Sequence, residues 1–111
     1  MFGNFGQLAG LLKNLPQIKE NMKNAHERLN AARFQGEAGG GQVRAVVDGK
    51  GEPVSLKIES SLLSTQDAEM IEDLTIAAFR NAIRISREGA MKEMQAAAGG
   101  MDLGGFADML K

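Results

Sequence analysis

From Leu8 onward the apolar positions fall at Leu8, Leu11, Leu15, Ile18, Met22, Ala25, Leu29 and Ala32, in alternating steps of three and four. This is a heptad seam, and it predicts a helix with one apolar stripe. A helix over that span is roughly 37 Å long at about 1.5 Å per residue, more than a small domain needs to cover its own sheet. Part of it is expected to project, or to pack against another subunit. Pro16 interrupts the pattern, because within a helix proline lacks the N–H and crowds the preceding turn, at a cost of about 3 kcal/mol. The regular helix is therefore expected to begin near Pro16, with Asn14 as its cap and the preceding residues in a looser turn.

The period then drops to two. Residues 33–38 predict a short first strand, Gly36-Glu37-Ala38-Gly39-Gly40-Gly41 a bend, and Gln42-Val43-Arg44-Ala45-Val46-Val47-Asp48 an alternating strand. Glycine triplets also occur in phosphate loops, but those open a helix and bring Lys followed by Ser or Thr, whereas this one opens a strand. Asp48-Gly49-Lys50-Gly51 is a hairpin signal, after which Val54, Leu56 and Ile58 alternate with Ser55, Lys57 and Glu59 as another half-buried strand.

A second helical segment follows. Ser64 and Asp67 stand at capping-box spacing, and Asp67, Glu69, Glu72 and Asp73 load its start with negative charge, which the helix dipole accounts for. Its apolar face reads Ile71, Leu74, Ala78, Ala82 and Ile85, with Met70 and Ala77 on one side and Phe79 and Ile83 on the other. The central alanines predict close packing. Gly99-Gly100 and Gly104-Gly105 end the helix, so residues 1–98 read as one α+β domain and residues 99–111 as a flexible Gly/Met-rich tail, with a short turn at 106–110.

Composition narrows the picture in two ways. With five Phe and neither Trp nor Tyr in 111 residues, the core must come from aliphatic side chains and Met, and such a modest core favours burial of further apolar surface between subunits. The chain has no Cys, hence no disulfide or thiolate metal site, and no apolar run of spanning length or signal peptide, so a cytoplasmic protein without a membrane partner is expected. With 13 basic against 14 acidic residues the net charge is −1, which lacks the overall positive field of many nucleic-acid binders. Binding to nucleic acid then requires that the cations be gathered on one surface.

Candidate chemistry points away from catalysis. His26 is the only histidine and lies beside the seam, without an orienting partner in the pattern. Glu72 and Asp73 are adjacent, so on a helix they diverge by about 100°. No metal-site spacing appears, and neither a cofactor nor a small-molecule substrate is expected. The arginines of the second helix are more informative. Arg80, Arg84 and Arg87 follow in steps of four and three, on a stripe nearly opposite the apolar face, and only Arg84 has an acidic residue, Glu88, at helical spacing. An external anion relieves that repulsion, and a guanidinium fork matches phosphate oxygens. The alternative is an ordinary solvated face, or pairing with carboxylates elsewhere. Lys19 and Lys23 on the first helix are also four apart, with Glu20 and Glu27 interleaved.

Taken in order, Gly36 to Gly41, the hairpin Asp48-Gly49-Lys50-Gly51-Glu52, the strand ending Lys57-Ile58-Glu59, the helix opening Glu69-Met70-Ile71-Glu72-Asp73-Leu74, the start Met1-Phe2-Gly3-Asn4 and the Gly/Met-rich tail resemble the YbaB/EbfC family of bacterial nucleoid-associated proteins. The resemblance covers nearly the whole chain. It implies an α+β fold with a long N-terminal helix, a small three-stranded antiparallel sheet and a long second helix, assembled as a tweezer-like homodimer. It also implies double-stranded DNA as partner, a nucleoid location, and Lys19, Lys23, Arg80, Arg84 and Arg87 among the DNA-binding positions. A protein-binding adaptor that clasps its partner through the long helices and tail is the alternative reading.

Overall fold

The computed structural model describes residues 2–99. In chain order it contains α1 (Phe2–Ala31), β1 (Phe34–Ala38), β2 (Val43–Val47), β3 (Pro53–Ile58), the single-turn α2 (Ser60–Leu63) and α3 (Ala68–Ala97). The strands form one antiparallel sheet in the order β1-β2-β3. This is the expected α+β architecture, drawn out to extents of 67 × 27 × 16 Å. The expected tail beyond Gly99 and its turn at 106–110 lie outside the described residues.

Close approach of backbone to backbone sets the core. Register puts Gly36 opposite Ala45 and Ala38 opposite Val43 on the sheet face beneath α3. A side chain at Gly36 would begin 2.8 Å from the Ala82 Cα, and nearer still to the Ala82 nitrogen and the Ala78 oxygen, so α3 rests on bare β1 backbone. Ala78 and Ala82 are fully buried there, and Val43, Ala45, Val47 and Leu62 complete the core cluster. Ser86 is buried on the same side and donates to the Ile83 carbonyl at 2.8 Å. The buried stripe of α3 thus runs Ala78-Ala82-Ser86, with Ile71, Leu74, Phe79 and Ile83 packed beside it, so the expected Ile71-Leu74-Ala78-Ala82-Ile85 face meets the core except that Ser86 takes the buried place expected of Ile85.

The turns follow their glycines. Gly39, Gly40 and Gly41 have φ of 64°, 67° and 91°, a left-handed run that side chains rarely adopt, and it reverses β1 into β2. Between β2 and β3 the Asp48 carboxylate accepts from the Lys50 and Glu52 N–H groups at 2.8 and 3.0 Å. The Glu52 N–H above all holds the Asp48 carboxyl below its ordinary value, with Lys50 and Arg33 adding to the effect. The same turn receives α1: the Gly49 N–H donates to the Leu29 carbonyl at 2.9 Å, satisfying one of the orphan acceptors at the helix end. Arg33 donates to two more carbonyls there, Asn30 at 3.1 Å and Ala32 at 2.8 Å.

Three expectations are corrected. First, α1 does not begin near Pro16 with Asn14 as cap; Pro16 lies inside it. The helix is exposed around Pro16, so the carbonyl of Leu12 that the missing N–H leaves free is open to water rather than buried unsatisfied. Second, Ser64 and Asp67 form no capping box. Ser64 closes α2 by donating to the Ser60 carbonyl at 2.9 Å, and Asp67 is itself the N-cap of α3, accepting from the Met70 N–H at 3.0 Å. Third, β3 forms, but the face expected to be covered packs against the core only at Ile58, and Val54 and Leu56 are 46% and 43% exposed. α3 lies across β1 and β2 and leaves β3 largely bare, and an irregularity opposite Val46 and Val47 breaks the alternation at Val54.

Candidate nucleic-acid interface

The packing that buries Ala78, Ala82 and Ser86 turns Arg80, Arg84 and Arg87 outward on a helix seated firmly on the sheet. Arg84 donates to Glu88 at 3.4 Å, but both side chains are more than half exposed, and a pair so solvated contributes little. Arg80 and Arg87 meet no carboxylate among the described residues. With Thr75, Ile76, Phe79 and Ile83, the three arginines line a shallow, mainly apolar groove of about 600 Å³ along one flank of α3. The ridge therefore combines cationic heads with an apolar floor, a combination suited to an anionic polymer, to a second protein surface, or to both at different depths.

Lys19 and Lys23 are also exposed and unpaired among the described residues, yet they belong to a separate region. The contact of Leu29 with the hairpin and the ion pair of Arg28 with Glu93 show α1 running antiparallel to α3. Lys23 lies five residues outward from Arg28, and Arg87 six inward from Glu93, so at about 1.5 Å per residue they are separated by roughly 16 Å along the axis. The structure brings the three arginines together and holds the two lysines apart from them.

Two other arginines are already engaged. Arg28 is tied to Glu93. Arg44 donates to the Gly41 carbonyl at 3.2 Å and lies 3.9 Å from Glu37. On the outer face of the sheet Arg44 stands directly opposite Lys57, beside a small hollow that also takes in Gly41, Gln42 and Ser60. Residue patterning did not reveal this pair. Alternation places both side chains outward, but their juxtaposition depends on strand register. The apolar floor of the α3 groove was missed for a related reason, because Phe79 and Ile83 read equally well as flanks of the core. His26 is exposed, and among the described residues no group of acidic or histidine side chains is placed to hold a metal ion. None of the described helices is long and apolar enough to cross a membrane.

Comparison with known proteins adds an independent line. A model of the YbaB/EbfC DNA-binding family matches residues 4–101. A nucleoid-associated protein of Rickettsia akari is 37% identical over 100 residues, covering 90% of this chain and 91% of the relative. One of Bordetella avium is 38% identical over 98 residues, covering 88% and 90%. Among solved structures, an uncharacterized protein of Helicobacter pylori, HP0035, superposes with a TM-score of 0.61 at 28% identity, over 79% of this chain and 89% of that one.

Proposed function

Because the chain belongs to the YbaB/EbfC DNA-binding family, we propose that it binds duplex DNA as a homodimer, without catalysis, through cationic side chains on its helices. The observation that carries this reading is the ridge of α3. Arg80, Arg84 and Arg87 share one exposed face, and two of them lack any carboxylate among the described residues of a chain whose net charge is −1. Lys19 and Lys23 extend the cationic surface along α1 as a second, separate contact region. The likeness to nucleoid-associated proteins supports a place in the nucleoid and a part in its organisation or in gene regulation.

In this mechanism the guanidinium groups neutralise backbone phosphates and release the counterions condensed there. Four to six phosphate contacts give a slope of roughly −4 to −5 in log affinity against log salt, at about −0.9 per phosphate. Replacing Arg80, Arg84 and Arg87 together by Gln is expected to abolish retention of duplex DNA in a gel-shift assay while the fold is kept. Retention by the triple variant, or a wild-type affinity indifferent to salt, overturns the proposal. One observation favours the adaptor alternative: the seam residues Leu8 and Leu15 are 54% and 49% exposed on α1 and the adjoining Leu12 62%, a bare apolar surface on which a partner protein can lie. Under that reading the same arginine variant leaves partner capture intact.

A further inference from the structure

The outer face of the sheet carries a row of charges that the α3 ridge does not use. Alternation turns Val43, Ala45 and Val47 toward α3 and sets Glu37, Arg44 and Lys57 in one row across the other face, with Gln35, Val46 and Ser55 in the next. Like charges directly opposite on neighbouring strands repel, and Arg44 and Lys57 are such a pair, both exposed. Arg44 is held by its Nε alone: that nitrogen donates to the Gly41 carbonyl at 3.2 Å and lies 3.9 Å from Glu37. Its two terminal nitrogens have no acceptor among the described residues, and neither does the Lys57 ammonium.

We propose that Arg44 and Lys57 form a second phosphate-binding site, which takes a phosphodiester of a nucleic-acid backbone. The proposal rests on the DNA reading of the proposed function and adds to it a contact on another face. Both cations border a hollow of about 310 Å³ that Gln42 and Ser60 also line, so an amide and a hydroxyl stand beside them as further hydrogen-bonding groups. Charge selects the ligand. Glu59 is the one carboxylate in the lining, and the Ser61 hydroxyl donates to it at 3.5 Å. Glu37 stands on the far side of Arg44, where it accepts from Gln35 at 2.9 Å. Two cations against one carboxylate thus leave the hollow one positive charge. A phosphodiester brings one negative charge, a phosphate monoester about 1.5 to 2. The two rows bear no aromatic side chain, so bases find no stacking platform and the contact is to the backbone alone.

Its place in the fold gives this site a separate use. α3 covers one face of the sheet and turns Arg80, Arg84 and Arg87 away from it, so the ridge and the pair of Arg44 and Lys57 look out from opposite sides of the two layers. A straight duplex seated on the ridge does not reach both. The chain can therefore hold one duplex segment on α3 and a second on the sheet, and two cations against three make the sheet the weaker of the two.

Magnetic resonance of the isotope-labelled full chain separates the two faces. Titration with a short duplex is expected to move the amides of α3 first, and then, at higher concentration, the Arg44 Nε–H and the amides of Gln42 and Lys57. Beads that carry one duplex and are loaded with the protein are expected to capture a second, fluorescent duplex. In the chain carrying both Arg44→Gln and Lys57→Gln, affinity for the first duplex is expected to stay within about twofold and capture of the second to fall about tenfold. Lys57→Gln alone breaks no hydrogen bond or ion pair among the described residues, and its capture is expected to lie between the two. Sheet signals that stay still while α3 responds overturn the site, as does capture that survives the double variant. Sheet signals moved equally by inorganic phosphate overturn the nucleic-acid backbone as the ligand. Sheet signals that move with duplex while those of α3 do not support this site and count against the α3 ridge alone.

Discussion

The two long helices have the same length, 30 residues each, and opposite fates. α3 lies on the sheet along a stripe of small residues, Ala78, Ala82 and Ser86, against a bare glycine on β1. α1 is anchored only toward its C-terminal end, where Ala25 and Leu29 are buried, and farther out Leu8, Leu12 and Leu15 face solvent. A strong heptad pattern thus accompanies the less covered helix, and a diluted, alanine-rich pattern the more deeply seated one. The difference is one of distance. Large side chains hold helices about 8–10 Å apart, whereas small ones let a helix sink until backbone meets backbone. Which cations are available follows from this, since a helix so seated presents its outer arginines on a fixed surface.

The severest way to break the contrast is to push α3 off the sheet. Gly36→Ala places a methyl group into the backbone of Ala78 and Ala82, where no side chain can rotate aside. Overpacking typically costs about 1–3 kcal/mol, and a clash with backbone belongs at or above the top of that range. Denaturant unfolding is the measurement. A variant within about 0.5 kcal/mol of wild type means that α3 is not held where the packing says.

A pair of matched truncations sharpens the contrast along α1 itself. Leu29 is 6% exposed, and Leu29→Ala is expected to cost about 2–5 kcal/mol. Leu12 is 62% exposed, and Leu12→Ala is expected to lie within about 0.5 kcal/mol of wild type. A loss above about 1 kcal/mol at Leu12 shows that another chain covers the outer part of α1. Pro16→Ala works on the same arm in the other direction. Restoring the N–H to a helix interior is worth up to about 3 kcal/mol, felt locally as slower amide exchange around residues 12–16. Unchanged exchange there means that the outer turns are held by something other than their own hydrogen bonds.

Much of this was legible in the residues. The glycine run, the Asp48-Gly49 turn and the two periods gave the order of elements, because turn chemistry and side-chain alternation are local. The grouping of Arg80, Arg84 and Arg87 was legible for the same reason, since spacing on one helix fixes a shared face. What depended on neighbours was not. Propensity rightly marks Pro16 as costly, but a helix open to water tolerates the unsatisfied carbonyl. Ser64 and Asp67 had the spacing of a capping box, yet a one-turn helix intervened and made Asp67 the cap. Val54 and Leu56 alternate as a buried strand does, but burial depends on where α3 lies, and Gly36 seats it over β1 and β2.

Asp48 governs the junction between the covered and uncovered regions, because its turn presents the Gly49 N–H to the end of α1. Its carboxyl is held below the ordinary value of 3.8, chiefly by the Glu52 N–H. A group whose folded value is depressed contributes stability above its unfolded value and loses it as pH falls through the folded one. The turn is therefore expected to be intact at neutral pH and to loosen below about pH 3.8, with the Lys50 and Glu52 amides losing protection first. The group is exposed, so the effect is the smallest of those argued. Other carboxylates titrate in the same range, and Asp48→Asn separates them: it keeps an oxygen acceptor but carries no charge. Compared by amide exchange from neutral pH downward, the wild-type turn should lose its advantage over Asp48→Asn in that window. Two parallel profiles would show that the charge on Asp48 does not hold the junction, and that α1 is fixed to the domain by the burial of Ala25 and Leu29 and the ion pair of Arg28.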